Sequence, residues 1–153
     1  MALITASEAI TIAFLDKNFP SAKIKDSLID IAQEQYLRPA IGDDFYEAIN
    51  VADPPTQYDD FIDDYLQPAL AYFILYLMLP EISMQITGSG INVSQTQTGQ
   101  SGTDKQREML RSQALANGYT LLNKAVKYIE DNEEDFPLYE KKCSVKIRGG
   151  VIL

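Results

Sequence analysis

The chain has no histidine, no tryptophan and a single cysteine, Cys143. Without histidine, His-based catalytic triads and histidine metal sites are excluded. One cysteine excludes an intrachain disulfide framework and fits a reducing compartment. Its thiol would need a base to become reactive; Lys141 and Lys142 stand nearby in sequence, but an idle surface or interface cysteine is the simpler reading. Basic residues are scarce where acidic ones are dense. Residues 1–100 hold fourteen Asp or Glu against four Lys or Arg, whereas residues 101–153 hold eight against nine. An acidic body repels phosphates, which argues against general nucleic-acid binding over the first two thirds. The mildly basic tail, Lys141, Lys142, Lys146 and Arg148, is suited instead to an acidic protein surface. Met1 to Thr5 carries no Lys or Arg and Glu8 interrupts the first apolar positions, so a cytoplasmic site of synthesis is expected.

The stretch that the rest must accommodate is Pro68 to Pro80, whose interior, Ala69 to Leu79, carries no polar group beyond two tyrosine phenols. It predicts a helix apolar on every side, about 16 Å long, too short to span a bilayer and in need of neighbours all round. Pro68 is suited to its first turn, and Pro80 is expected to end or kink it. Whether Tyr58–Leu66 and this helix form one kinked element or two stays open. Tyr72 and Tyr76, four apart, are expected to turn their hydroxyls together toward a rim or a partner subunit.

Taken in order, Thr5-Ala-Ser-Glu8 has the spacing of a capping box before a short helix to Phe14. Asp16 to Pro20 reads as a turn. Ile24, Leu28, Ile31, Ala32 and Tyr36 form one stripe of a helix from Ser21 to Leu37, which Arg38-Pro39 is expected to end. Gly42 supplies a turn, Asp43-Asp44 cap a short helix through Ala48, and Val51 to Gln57 is a proline-stiffened loop. Tyr58 to Leu66 is predicted helical with Phe61, Ile62 and Tyr65 inward. Leu115, Tyr119, Leu122, Val126 and Ile129 set the core face of a long helix over Asp104–Asn132, where Gly118 points to close packing. Phe136 to Tyr139 is expected to fold back on the core.

Two segments differ in character. Glu81 to Thr103 becomes rich in Gly, Ser, Thr and Gln, with Ile91 and Val93 alternating as in a strand, and predicts a hairpin or extended loop that acts as an interaction element. The C-terminal CSVKIRGGVIL alternates at Val145 and Ile147 and closes on Val151-Ile152-Leu153; such a strand needs a sheet edge, its own or a neighbour's. Neither Gly88-Ser-Gly90 nor Gly99-Gln-Ser-Gly102 matches a phosphate-binding loop. Asp60 and Asp64 share a helical face and would suit a hard cation, against the plainer reading of a solvated acidic first turn. No constellation amounts to an active site, so neither an enzyme nor a cofactor is expected.

Ala32-Gln-Glu-Gln-Tyr-Leu-Arg-Pro-Ala-Ile-Gly42, Phe45-Tyr46, the helix from Tyr65 to Tyr72 ending at Leu79-Pro-Glu-Ile82, the glycine-containing Ile86 to Ile91 and the long last helix follow one another in an order that resembles the head–tail connector, or head-completion adaptor, proteins of tailed bacteriophages. The resemblance covers roughly residues 22 to 135. It implies a mainly α fold, a small helical bundle around a buried central helix over residues 1–140, with a projecting hairpin or loop at 87–103. An extended arm at 141–153 is inferred from the tail itself. The resemblance further implies a homo-oligomeric ring, commonly a dodecamer, at the virion neck between portal and tail or neck proteins, with DNA passing through unbound and no membrane contact. Ile91, Val93, Tyr72, Tyr76, Val145, Ile147, Arg148, Val151, Ile152 and Leu153 are the interface residues expected on that reading. A small bacterial binding module using the 87–103 loop, and a metal-dependent enzyme built on Asp60 and Asp64, are the alternatives.

Overall fold

The chain enters its first helix, α1 (Ala6–Ala13), through the capping box foreseen at Thr5: the Glu8 N–H donates to Thr5 Oγ1 at 3.3 Å and the Thr5 N–H to Glu8 Oε2 at 2.7 Å. The computed structural model describes residues 2–87, 90–93 and 104–141, and these are mainly helical. The expected C-terminal arm and most of the 87–103 loop lie outside the described residues. After α1, Asp16 accepts the Asn18 N–H at 2.9 Å in the foreseen turn, and a single 3-10 turn follows at Ser21–Lys23.

The next helix departs from expectation in three ways. It begins at Asp26, as α2 (Asp26–Ala32), and buries Ile29, Ala32, Gln33 and Leu37, while Ile31 is exposed. It passes through a π turn, Gln33–Leu37, in which the Arg38 N–H reaches the Gln33 carbonyl. And it does not stop at Arg38-Pro39 but continues as α3 (Arg38–Ile41) with Pro39 inside. The reason is the π turn: a proline ring clashes with the carbonyl four residues back in an α-helix, and the wider turn relieves that crowding. The helix ends at Gly42, where φ is +89° and ψ 157°, a backbone state open essentially to glycine alone, and α4 (Asp43–Ile49) starts at once.

The same device recurs in the centre. Asp59–Phe61 (α5), a second π turn at Ile62–Leu66 and α6 (Gln67–Ser83) form one continuous helix, so neither Pro68 nor Pro80 breaks it. Each π turn ends in the same words, Tyr36-Leu37-Arg38-Pro39-Ala40-Ile41 and Tyr65-Leu66-Gln67-Pro68-Ala69-Leu70, with Leu37, Ile41, Leu66 and Leu70 all buried. Thr56–Ile82 spans 27 residues and holds a window of mean hydropathy 1.2, long and apolar enough by length and composition to cross a membrane. That overturns the expectation of a helix too short to do so. A core helix meets the same criterion, and α6 packs against α1, α2 and α7, burying Ala69, Leu70, Ala71, Phe73, Ile74 and Met78. Each large apolar side chain so covered contributes about 1.5–3 kcal/mol.

From α6 the chain runs directly into β1 (Met84–Thr87), which pairs antiparallel with β2 (Gly90–Val93) in the register Met84↔Val93 and Ile86↔Ile91. Helix α7 (Asp104–Asp131) then returns along α6. Its core face is Ala114, Gly118, Leu122, Ala125 and Ile129; the predicted stripe is rotated, with Tyr119 46% exposed and Leu115 and Val126 half-buried. Small residues win these positions because the two helices approach closely, as the contact between Gly118 and Phe73 requires. Beyond α7, Phe136 is buried against Phe45, Tyr58 and Phe61 as foreseen, whereas Leu138 stays exposed.

Candidate functional site

The two π turns place Tyr36 and Tyr65 in two aromatic groups along the α6–α7 seam. At one end, Tyr65 stacks on Phe61 and Tyr128 at 5.6 and 4.5 Å between ring centroids, and the Lys124 ammonium lies 5.4 Å from its ring. At the other, Tyr36 lies flat on Phe73 at 4.1 Å with an interplanar angle of 2°, and Tyr76 and Tyr119 meet Tyr36 edge-on at 6.5 and 6.0 Å. Arg111 sits over the Tyr76 ring at 4.6 Å, close enough for a cation–π attraction. Burial pushes the Tyr36 phenol above its ordinary value; Tyr76 and Tyr119 add to the shift and Arg111 opposes it.

Arg111 and Arg38 are held differently. Arg38 ties the corner around Gly42, donating to Asp43 at 2.8 Å, Glu34 at 3.1 Å and Glu47 at 3.2 Å, and the bonds to Asp43 and then Glu34 hold its proton more tightly than usual. Arg111 pairs with no carboxylate among the described residues, and its Nε is buried without an acceptor. A buried N–H in that state costs about 1–3 kcal/mol.

Of the residues expected at an interface, Tyr76 lies beneath Arg111 and edge-on to Tyr36 of its own chain, and Tyr72 and Tyr76 are both half-buried. Ile91 and Val93 fall on β2, opposite Ile86 and Met84. Val145, Ile147, Arg148, Val151, Ile152 and Leu153 lie outside the described residues, as does Cys143. Asp59, Asp60, Asp63 and Asp64 are all exposed, and no group of three or more His, Cys, Asp or Glu among the described residues is placed to hold a metal ion. Asp63 accepts from Gln67 Nε2 at 2.9 Å; burial, with Glu8 and Asp59 nearby, pushes its carboxyl above the ordinary value.

An open groove of about 430 Å³ runs beside the end of α6, lined by Phe19, Ala22, Lys23, Met78, Glu81 and Ile82. A fully buried glutamine, Gln33, was not singled out by sequence. It accepts the Leu3 N–H at 2.7 Å and donates to the Tyr46 hydroxyl at 3.3 Å, tying the N-terminal strand of chain to the π turn.

Residues 24–149 match a family of unknown function, DUF6712. The chain belongs to that family. The match begins at the buried Ile24 and takes in both π turns, the strand pair and α7, so α1 and its capping box precede it. No curated protein and no solved structure matches the chain.

Proposed function

We propose that this DUF6712 chain is a structural protein of a tailed bacteriophage, assembling as a ring, of dodecameric type, at the virion neck between the portal and the downstream tail or neck proteins. The observation that carries the reading is the run of α6 into the β1–β2 pair and back into α7, a helical hairpin with strands at one end. In this reading the strands project as a hairpin, and the 141–153 arm, through Val145–Ile147 or Val151–Leu153, adds an edge strand to a neighbour. The acidic body lets DNA pass without adhering. The protein is made in the host cytoplasm, uses no cofactor and catalyses no reaction. Mass in solution by light scattering, alone and with a candidate portal protein, tests it: rings, or a monomer that assembles on the portal, support it, and a small oligomer indifferent to the portal overturns it. Deleting residues 143–153 is expected to leave the helical domain folded and unable to join the portal.

The groove beside Phe19, Met78 and Ile82 favours a second reading, a small bacterial binding module that takes a ligand or partner there with help from the 87–103 loop. It predicts a monomer or dimer.

A further inference from the structure

We propose that the basic segment 142–148 folds back on its own chain and seats Lys146 and Arg148 in an open groove of about 530 Å³ at the end of α7, rimmed by Asp60, Glu134 and Asp135. The rings of this groove pack against one another, Phe61 with Phe136 at 4.9 Å, Phe61 with Tyr128 at 5.7 Å and Tyr58 with Phe136 at 5.7 Å between centroids. Tyr58, Phe61 and Phe136 are buried and the three carboxylates exposed, so rings form the floor and charges the rim. Such a surface suits a cation on an apolar stem, which pairs with the rim while its methylenes and charge lie against the rings.

The local charge calls for that cation. Helix α7 runs out through Glu130-Asp131-Asn132-Glu133-Glu134-Asp135 with no basic residue in its last turn, so five acids gather at the end where the helix dipole is already negative. The lysines nearby are engaged elsewhere, Lys127 with Asp131 at 2.9 Å and Lys124 over the Tyr65 ring at 5.4 Å. Among the described residues no cation pairs with Asp60, Glu134 or Asp135.

The occupant follows from where the tail starts and what it carries. Lys141, the first cation of the tail, already lies on this end of α7, its ammonium 3.5 Å from Glu130, and Glu130 stands two residues from Tyr128 of the groove. Residues 141–153 hold four Lys or Arg and no Asp or Glu. Lys146 comes five residues after Lys141, a reach of up to about 17 Å. In an extended segment Ser144, Lys146 and Arg148 share one face and Cys143, Val145 and Ile147 the other. The cations then enter the groove while the apolar face stays outward, free for the strand addition of the ring reading, on which this contact does not depend.

The test treats the full wild-type chain, as an equal mixture of unlabelled and heavy-nitrogen-labelled copies, with a carbodiimide, which condenses a lysine amine with a touching carboxylate into an amide. Peptide mapping is expected to find Lys146 joined to Asp60, Glu134 or Asp135, both linked peptides carrying the same isotope. Limited trypsin digestion reads the contact without cross-linking: with Asp60→Asn, Glu134→Gln and Asp135→Asn combined, cleavage after Lys146 and Arg148 is expected about fivefold faster than in wild type, with circular dichroism unchanged. Lys146 joined to none of the three overturns the fold-back, and so does a link found only between copies of different isotope, which would give the groove to a second copy's tail. Equal cleavage of the two chains overturns it as well. Neither experiment reads assembly, so the ring reading stands or falls separately by light scattering.

Discussion

Gly118 and Phe73 meet with no room between them: a Cβ on residue 118 would stand 2.7 Å from Phe73 Cε1 and 2.9 Å from Cδ1. The ring cannot step aside, because it is buried and stacked on Tyr36 at 4.1 Å. Gly118→Ala gains about 1 kcal/mol of helix propensity. The crowding costs about 1–3 kcal/mol or more. A net loss of about 1 kcal/mol is expected in urea unfolding, and pairing the change with Phe73→Leu should recover the crowding component in a double-mutant cycle. Additive losses would show that the two residues do not constrain one another.

Gly42 presents the opposite case. Nothing lies within 4 Å of where its Cβ would be, so the obstacle is the backbone state alone, φ +89°. Gly42→Ala is expected to lose about 1–3 kcal/mol in thermal or chemical unfolding. Gly42→Asn should fare little better, since ψ of 157° lies away from the left-handed helical well that asparagine tolerates.

At Gln33, replacement by methionine keeps the volume and removes both the acceptor for the Leu3 N–H and the donor to the Tyr46 hydroxyl. A loss of about 1–3 kcal/mol is expected. Hydrogen exchange should report it locally, with the Leu3 amide losing protection ahead of the amides of α6.

Alkaline pH should unfold the protein through its tyrosines. Burial, the leading cause in each case, raises Tyr36, Tyr46 and Tyr139 above their ordinary value of 10.0. The folded state then holds these protons more tightly than the unfolded chain. Their contribution to stability is complete below pH 10 and is lost as pH rises through the raised values. Tyrosinate absorbance is expected to lag behind that of free tyrosine and then rise together with the loss of helical signal. Independent titration at the ordinary value, in a chain that stays folded, would contradict the burial.

Much of the helical layout was legible because caps and turn glycines act locally: Thr5 with Glu8 and the turn at Gly42 each rest on a few neighbouring residues, while a glycine inside a helix at 118 and an apolar cluster at 136–139 signal close packing without naming the partner. What was not legible depends on contacts distant in sequence. On the core face of α7, Leu122 and Ile129 are buried as their spacing predicts, but Ala114, Gly118 and Ala125 fill the rest in place of Leu115, Tyr119 and Val126, since the close approach at Gly118 is set by Phe73 on another helix. Ile29 is buried where the stripe predicts Ile31, and Pro39 and Pro80 do not stop their helices, the one beside a π turn and the other near a helix end. Arg111 carries no signal in the sequence, because its partner Tyr76 lies in α6 and no spacing rule connects them. The signal that was available, Tyr-Leu-Xaa-Pro-Ala-aliphatic at 36–41 and again at 65–70, marks both π turns and the tyrosines at the centre of each aromatic group.

A π turn is an α-helix with one residue to spare, so chain length inside Gln33–Leu37 and Ile62–Leu66 sets the phase of everything downstream. Losing a single residue from 62–66 would restore the ordinary pitch and rotate Gln67–Ser83 by about 100°. Ala69, Leu70, Phe73 and Ile74 would then leave the seam together, a change that no single substitution there could reproduce. In relatives that keep this fold, insertions and deletions belong in the loops, while these two five-residue windows should hold their length even where their letters drift.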